Sequence, residues 1–174
     1  ISKAKENHSM VICIMSGNFV QRGELAFADK YYRAKAALNC GADLVLSLPF
    51  PYSMMSARDF AFAGVHIAES LNIPYLTFGA ESDIEDICAL ADAFCTEQFE
   101  AFIAEKIKLS PNLSYAKARQ LYAEKTFEKN LSDIIMLPNN ILAVEYISAI
   151  KKNGYKIKPR PIKRDMSYMS SSSI

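Results

Sequence analysis

Three short segments place residues able to hold a phosphate or a flat base just where extended runs give way to loops. "SGNFVQRGE", Ser16 to Glu24, offers Gly17, Asn18, Gln21 and Arg22, with Lys30 and Arg33 following. "FGAES", Phe78 to Ser82, offers Gly79, Glu81 and Ser82, and "IKRD" offers Lys163, Arg164 and Asp165. In a parallel sheet such strand ends lie on one edge, which is where α/β proteins hold ligands. Gly17 and Gly79 would let a purine or phosphate come close to the backbone. Either glycine alone is accounted for as a strand end; two on one edge favour a site. Arg22, between Gln21 and Gly23, suits a phosphate or carboxylate, whereas Lys30 and Arg33 read as a solvated helix face. Asn139 and Asn140 stand at a helix start, where an anion, ribose or base edge can be read. On the residues alone, an N-cap or turn role is the stronger reading for them.

The other polar features are bland. No G-x-G-x-x-G, G-x-x-x-x-G-K-[ST] or G-x-S-x-G pattern occurs, which disfavours a dinucleotide fingerprint, a P-loop and a hydrolase elbow. The four cysteines, Cys13, Cys40, Cys88 and Cys95, form no C-x-x-C pair and read as buried reduced thiols of a cytoplasmic protein. With only His8 and His66 beside them, no metal site is expected. His66 reads as a satisfied core histidine and the pair Tyr31–Tyr32 as helix packing. Lys156, Lys158 and Arg160 alternate on one strand face, either to contact a nucleic-acid backbone or to guard an edge. A net charge of +1, with 51% apolar and 22% charged residues, describes an ordinary globular chain without a global field for nucleic acid or membrane. No apolar run approaches the ~20 residues of a membrane span.

These groups need positioning elements, and the pattern supplies them. "SMVICIM", Ser9 to Met15, and "ADLVLSLP" from Ala42 read as strands buried on both faces. Between them, Asp29 to Cys40 reads as a helix capped by Asp29 and stopped at Gly41. Ser56 to Leu71 is a helix with Phe60, Ala63, Gly64 and Ile67 on one face, and "PYLTFG" from Pro74 is a third strand. A helical stretch from Asp83 to Lys108 carries acidic residues at its start. Tyr115 to Phe127 is a helix opened by Ser114, and "LPNNILAVEYISAIKKNG" is one with Pro138 in its first turn and Gly154 past its end. The extended, basic "YKIKPRPIKR" follows. Alternating strands and helices imply right-handed βαβ crossovers in a doubly wound parallel sheet, with a helical insertion in the middle of the chain.

Several blocks carry a resemblance: "MSGNFVQRGELAFADKYYRAKAAL", "GADLVLSLPFPYSMMSARDFAFAGV", "LTFGAES", "LPNNILAVEYISAI" and "SSSSI". The chain resembles the bacterial tRNA(Met) cytidine acetate ligase family of the HIGH-signature nucleotidyltransferase-like superfamily, nearly end to end and least from Ile84 to Asp133. The resemblance implies a Rossmann-like (HUP-type) fold and a ligase that activates acetate with ATP, together with Mg2+, to acetyl-adenylate. The acetyl group then passes to the wobble cytidine of elongator tRNA(Met), giving N4-acetylcytidine. By motif, Gly79, Asn139 and Arg164 match ATP-binding positions, which reverses the N-cap reading of Asn139. Ser171 and Ser172 match the start of a phosphate-holding S-[AS]-[ST]-x-I-R segment. Gly17, Asn18, Gln21, Arg22 and Lys30 are the further candidate contacts for substrate or phosphate. The family's H-x-G-H histidines would precede Ile1, so no catalytic residue is assigned in residues 1–174, which are expected to be one nucleotidyltransferase-like domain truncated at both ends. Leu25, Ser47 and Arg58 depart from Pro, Glu and Glu in the family. The other readings are a nucleotidyltransferase acting on a small phosphorylated metabolite, and a non-catalytic nucleotide- or RNA-binding remnant.

Overall fold

The computed structural model describes residues 1, 4–5, 9–21 and 23–164. Arg22, Asp165, Ser171 and Ser172 lie outside them. The chain divides into two compact units, Ile1–Ile73 and Pro74–Ile174.

In the first unit, β1 (Ile12–Ser16) and β2 (Leu44–Leu48) run parallel, with Ile12 opposite Leu44 and Ser16 opposite Leu48. Parallel neighbours need a crossover, and α1 (Lys30–Asn39) supplies it. Asp29 caps α1 by accepting from the Tyr31 N–H at 2.8 Å. The chain turns off the helix at Gly41, whose φ of +101° suits only a residue without a Cβ. α2 (Ala57–Ser70) starts at Ser56, whose hydroxyl accepts from the Asp59 N–H. Its buried stripe is Ala61, Gly64, Val65 and Ala68, with Ala63 beside it, rather than the one centred on Phe60 and Ile67. His66 lies off this stripe and is exposed, stacked on Phe62 at 5.7 Å, so it is not a core histidine.

The strands and α1 also depart from expectation. β1 is half-buried along its length and only Leu48 of β2 is buried, because among the described residues each strand pairs with a single neighbour. Tyr31 and Tyr32 do not pack. The half-buried positions of α1 are Lys30, Arg33, Ala34 and Ala37, at i, i+3, i+4 and i+7, which turns both tyrosine rings to solvent.

In the second unit, β3 (Tyr75–Ala80) and β4 (Lys158–Lys163) are parallel, with Gly79 opposite Ile162 and Ala80 opposite Lys163. Five helices join them: α3 (Ile84–Ala93), α4 (Glu97–Leu109), α5 (Tyr115–Thr126), α6 (Lys129–Ile134) and α7 (Pro138–Lys152). The stretch expected as one helix from Asp83 is thus two. Thr96 ends the first by donating its hydroxyl to the Ala93 carbonyl and starts the second by accepting from the Phe99 N–H. Ser114 caps α5 in the same manner. Pro138 opens α7, and Gly154 with φ +61° follows its end. The core joins Phe78 and Ala80 of β3 to Ile87 and Leu90 of α3, Phe99 of α4, Ala118 of α5, and Val144 and Ile147 of α7. Phe99 is fully buried, stacked on Phe94 at 4.7 Å and edge-on to Tyr122 at 5.1 Å; burying such a ring is worth about 1.5–3 kcal/mol. Among the described residues no helix is long and apolar enough to cross a membrane.

Candidate functional site

The parallel register of β3 and β4 brings "FGAES" and "IKR" to one edge of their sheet. There the Arg164 N–H donates to the Ala80 carbonyl at 2.8 Å, extending the ladder one step past β4. The arginine stem then lies across Gly79. A Cβ built on Gly79 would stand 3.0 Å from Arg164 Cδ and 3.2 Å from its Cγ. That stem fills the space a side chain on residue 79 would take, so any larger residue would have to displace it. The guanidinium reaches onward, and its Nη1 donates to Asn139 Oδ1 at 2.9 Å. Gly79, Asn139 and Arg164, drawn from one strand, one helix start and one strand end, thus meet in a single cluster.

The start of α7 is tied to the loop after β3 by two adjacent asparagines. Asn140 is fully buried. Its Oδ1 accepts from the Glu81 and Ser82 N–H groups at 2.8 and 3.2 Å, and its Nδ2 donates to Ser82 Oγ and the Ile134 carbonyl. Asn139 is half-buried and faces the Glu81 carboxylate, donating Nδ2 to Oε1 at 2.7 Å and its backbone N–H to Oε2 at 3.3 Å. The helix start does attract an anion, as the dipole requires, but that anion is Glu81. Just beyond, Lys163 pairs with Asp83 at 2.8 Å; this exposed pair raises the lysine pKa through the hydrogen bond and charge of Asp83. The residues alone show Glu81 at a strand end but not its partner, Asn139. The available signal was a carboxylate two residues past a strand glycine and an Asn pair opening a helix.

The first unit holds the other candidates. After Gly17 the chain makes a tight hairpin: Phe19 bridges Leu25, the Val20 N–H donates to the Glu24 carbonyl, and Gly23 turns at φ +78°. Asn18 is exposed, but its Oδ1 accepts from the Lys30 N–H at 3.1 Å, so it helps start α1. Gln21 and Lys30 are half-buried, and Lys30 Nζ lies 5.0 Å from the Tyr31 ring centre. Ser47 Oγ is 3.8 Å from where a Gly17 Cβ would be, which puts that departure from the family pattern beside the loop. Arg33, expected on a solvated face, is instead half-buried. Its Nε donates to the Ala28 carbonyl at 2.9 Å and its Nη2 to the carbonyls of Ser16 and Gly17. It pins both ends of the loop, a role that a lone arginine in a helical pattern does not advertise.

The thiols are free among the described residues. Cys40 is exposed, not buried; burial raises the pKa values of Cys13, Cys88 and Cys95. Among the described residues no group of three or more His, Cys, Asp or Glu side chains is placed to hold a metal. On β4, the Arg160 guanidinium lies 5.9 Å from the Tyr75 ring centre, while Lys158 is exposed.

Residues 1–174 match the model of the family described as HIGH Nucleotidyl Transferase. The chain is 39% identical over 173 residues to the tRNA(Met) cytidine acetate ligase of Thermoanaerobacter sp. (strain X514), a match covering 98% of this chain and 43% of that protein. It is 41% identical over 169 residues to the enzyme of that name from Caldicellulosiruptor saccharolyticus, covering 94% and 41%. A crystal structure of Thermotoga maritima TmcAL bound with alpha-thio ATP superposes with a TM-score of 0.80 at 34% identity, covering 91% of this chain and 40% of that one. Its apo form gives 0.77 at 34%, covering 90% and 38%. The chain therefore spans about two-fifths of the length of these relatives. With the parallel βα units above, the likeness establishes a Rossmann-like fold of the HUP type.

Proposed function

The chain belongs to the HIGH nucleotidyl transferase family, and we propose that it carries the ATP site of a cytoplasmic, ATP-dependent tRNA(Met) cytidine acetate ligase. The observation that carries this reading is the Gly79–Asn139–Arg164 cluster on the edge where two parallel strands end. Its chemistry fits a nucleoside triphosphate. Gly79, lacking a Cβ, lets the Arg164 stem lie flat across the strand end. Arg164 spends one N–H on Asn139 and keeps further donors for phosphate oxygens. Asn139 holds an amide in one orientation at the rim.

In the reaction we assign, an acetate oxygen attacks the α-phosphorus of ATP, supplied with Mg2+, and pyrophosphate leaves. The exocyclic amine of the wobble cytidine of elongator tRNA(Met) then attacks the acetyl carbon, and AMP leaves. Charge grows on the phosphate in the first step, so a donor already aimed there lowers the barrier. Arg164 is our candidate for that role within this chain. Gly17, Asn18, Gln21 and Lys30, with Arg22, Ser171 and Ser172, remain the candidate contacts for the acyl group, the adenylate or its phosphates. Arg33 supports the loop that carries the first of these.

The test is incubation of the full-length protein with ATP, acetate and elongator tRNA(Met), followed by nucleoside mass spectrometry and pyrophosphate assay. Acetate-dependent pyrophosphate and N4-acetylcytidine are expected, both reduced by Arg164→Ala. Pyrophosphate release indifferent to acetate, or turnover of a phosphorylated metabolite with unmodified tRNA, overturns the reading.

A further inference from the structure

We propose that Glu81 is a positioning residue for the nucleotide: it acts through the Asn139 amide to hold the Arg164 guanidinium in place. The inference rests on the ATP-site reading above and adds a residue to it. Three side chains are linked in one direction. Glu81 Oε1 accepts from Asn139 Nδ2 at 2.7 Å, and Asn139 Oδ1 accepts from Arg164 Nη1 at 2.9 Å. An amide between a carboxylate and a guanidinium has one satisfactory orientation. Turned over, its oxygen would face the carboxylate and its NH2 the guanidinium, and both contacts would be repulsive. Glu81 is itself held, because its backbone N–H donates to the buried Asn140. Its second oxygen takes the Asn139 backbone N–H at 3.3 Å, so the carboxylate fixes side chain and helix start together.

The arrangement has a consequence for charge. The carboxylate meets the guanidinium through a neutral amide, so Arg164 is oriented while its outer donors stay available to an anion. A carboxylate bonded face to face with Arg164 would compete with phosphate for the same donors. The stem packed over Gly79 then restricts the guanidinium to the strand-end edge.

A double-mutant cycle on the full-length protein tests this, read by calorimetric ATP affinity and by KM for ATP and for acetate. Glu81→Ala should weaken ATP binding about five- to tenfold and raise KM for ATP, leaving KM for acetate within twofold. Asn139→Ala should weaken ATP binding similarly, and the double variant should be no weaker than Asn139→Ala alone. Glu81→Gln keeps an oxygen for Asn139 Nδ2 and should stay within about threefold of wild type. Multiplicative losses in the double variant, or unchanged ATP affinity in a Glu81→Ala protein with a native circular dichroism spectrum, overturn the positioning role. Should Glu81→Ala not fold, a tenfold loss in folded Glu81→Gln overturns it. Wild-type protein that is folded but binds no ATP overturns the function reading and this inference together. Wild-type binding with an indifferent Glu81→Ala overturns this inference alone.

Discussion

Replacing Gly79 by alanine puts one methyl group into the space held by the Arg164 stem. The new Cβ would lie 3.0 Å from Cδ and 3.2 Å from Cγ. Carbon pairs prefer about 3.5–4.0 Å, so the stem must retreat by roughly half an ångström or more. It can do so, because Arg164 is exposed while the strand backbone is fixed by its ladder. Alanine in a strand interior also offsets the push, being favoured over glycine by roughly 0.5–1 kcal/mol. Fold stability should therefore change by less than about 1 kcal/mol, or about 4 °C in Tm for a chain of this size. The site should change more. A displaced guanidinium loses its 2.9 Å bond to Asn139, and an exposed bond of this kind is worth about 1 kcal/mol, which is about fivefold in affinity. Thermal unfolding and calorimetric ATP titration of Gly79→Ala, Arg164→Ala and the double variant separate the two effects. Expected are a near-native Tm, ATP affinity reduced about five- to tenfold, and no further loss from Gly79→Ala once Arg164 is gone. A Tm lowered by more than about 10 °C, or a loss that persists undiminished without Arg164, would refute it.

Two further predictions concern the helical core. Arg119 of α5 and Glu145 of α7 form an ion pair at 3% and 5% exposure, with the Tyr115 ring centre 6.0 Å from the guanidinium carbon and Arg119 Nε without a hydrogen-bond partner among the described residues. Glu145→Ala should cost about 3–5 kcal/mol in urea denaturation because it strands a buried charge, whereas Arg119→Met with Glu145→Leu should come much closer to wild type. Burial of Tyr146 raises its pKa from 10.0 to about 12. Between those values the unfolded chain has lost a proton that the folded chain keeps, so stability should fall as pH rises through this window. Tyr146→Phe should flatten that part of the curve in alkaline denaturation; an unchanged slope would count against the assignment.

Much of the scaffold is legible in the residues one after another. Helix starts at Asp29, Ser56, Ser114 and Pro138, the stops at Gly41 and Gly154, and the strand runs around Ile12, Leu44, Tyr75 and Lys158 follow from capping and periodicity, which act within a few residues. The same local rules put Gly79 and Arg164 at strand ends, and alternation with helices made those strands parallel. Motif resemblance added Asn139. Partner choice was not legible. Glu81 and Asn139 are 58 residues apart, Arg119 and Glu145 are 26 apart, and no local pattern says that they meet. Hydrophobic spacing did not say which face packs: α1 turns Lys30, Arg33, Ala34 and Ala37 inward and α2 turns Ala61, Gly64, Val65 and Ala68 inward, hence the exposed Tyr31, Tyr32 and His66. A polar side chain is defined by its bonds, and the long-range ones exist only after the core has packed. Local pattern was enough for the elements and for the two residues at the sheet edge. Long-range packing alone put Glu81 at the start of α7, the Asn139 amide against Arg164, and Arg33 on the loop after β1.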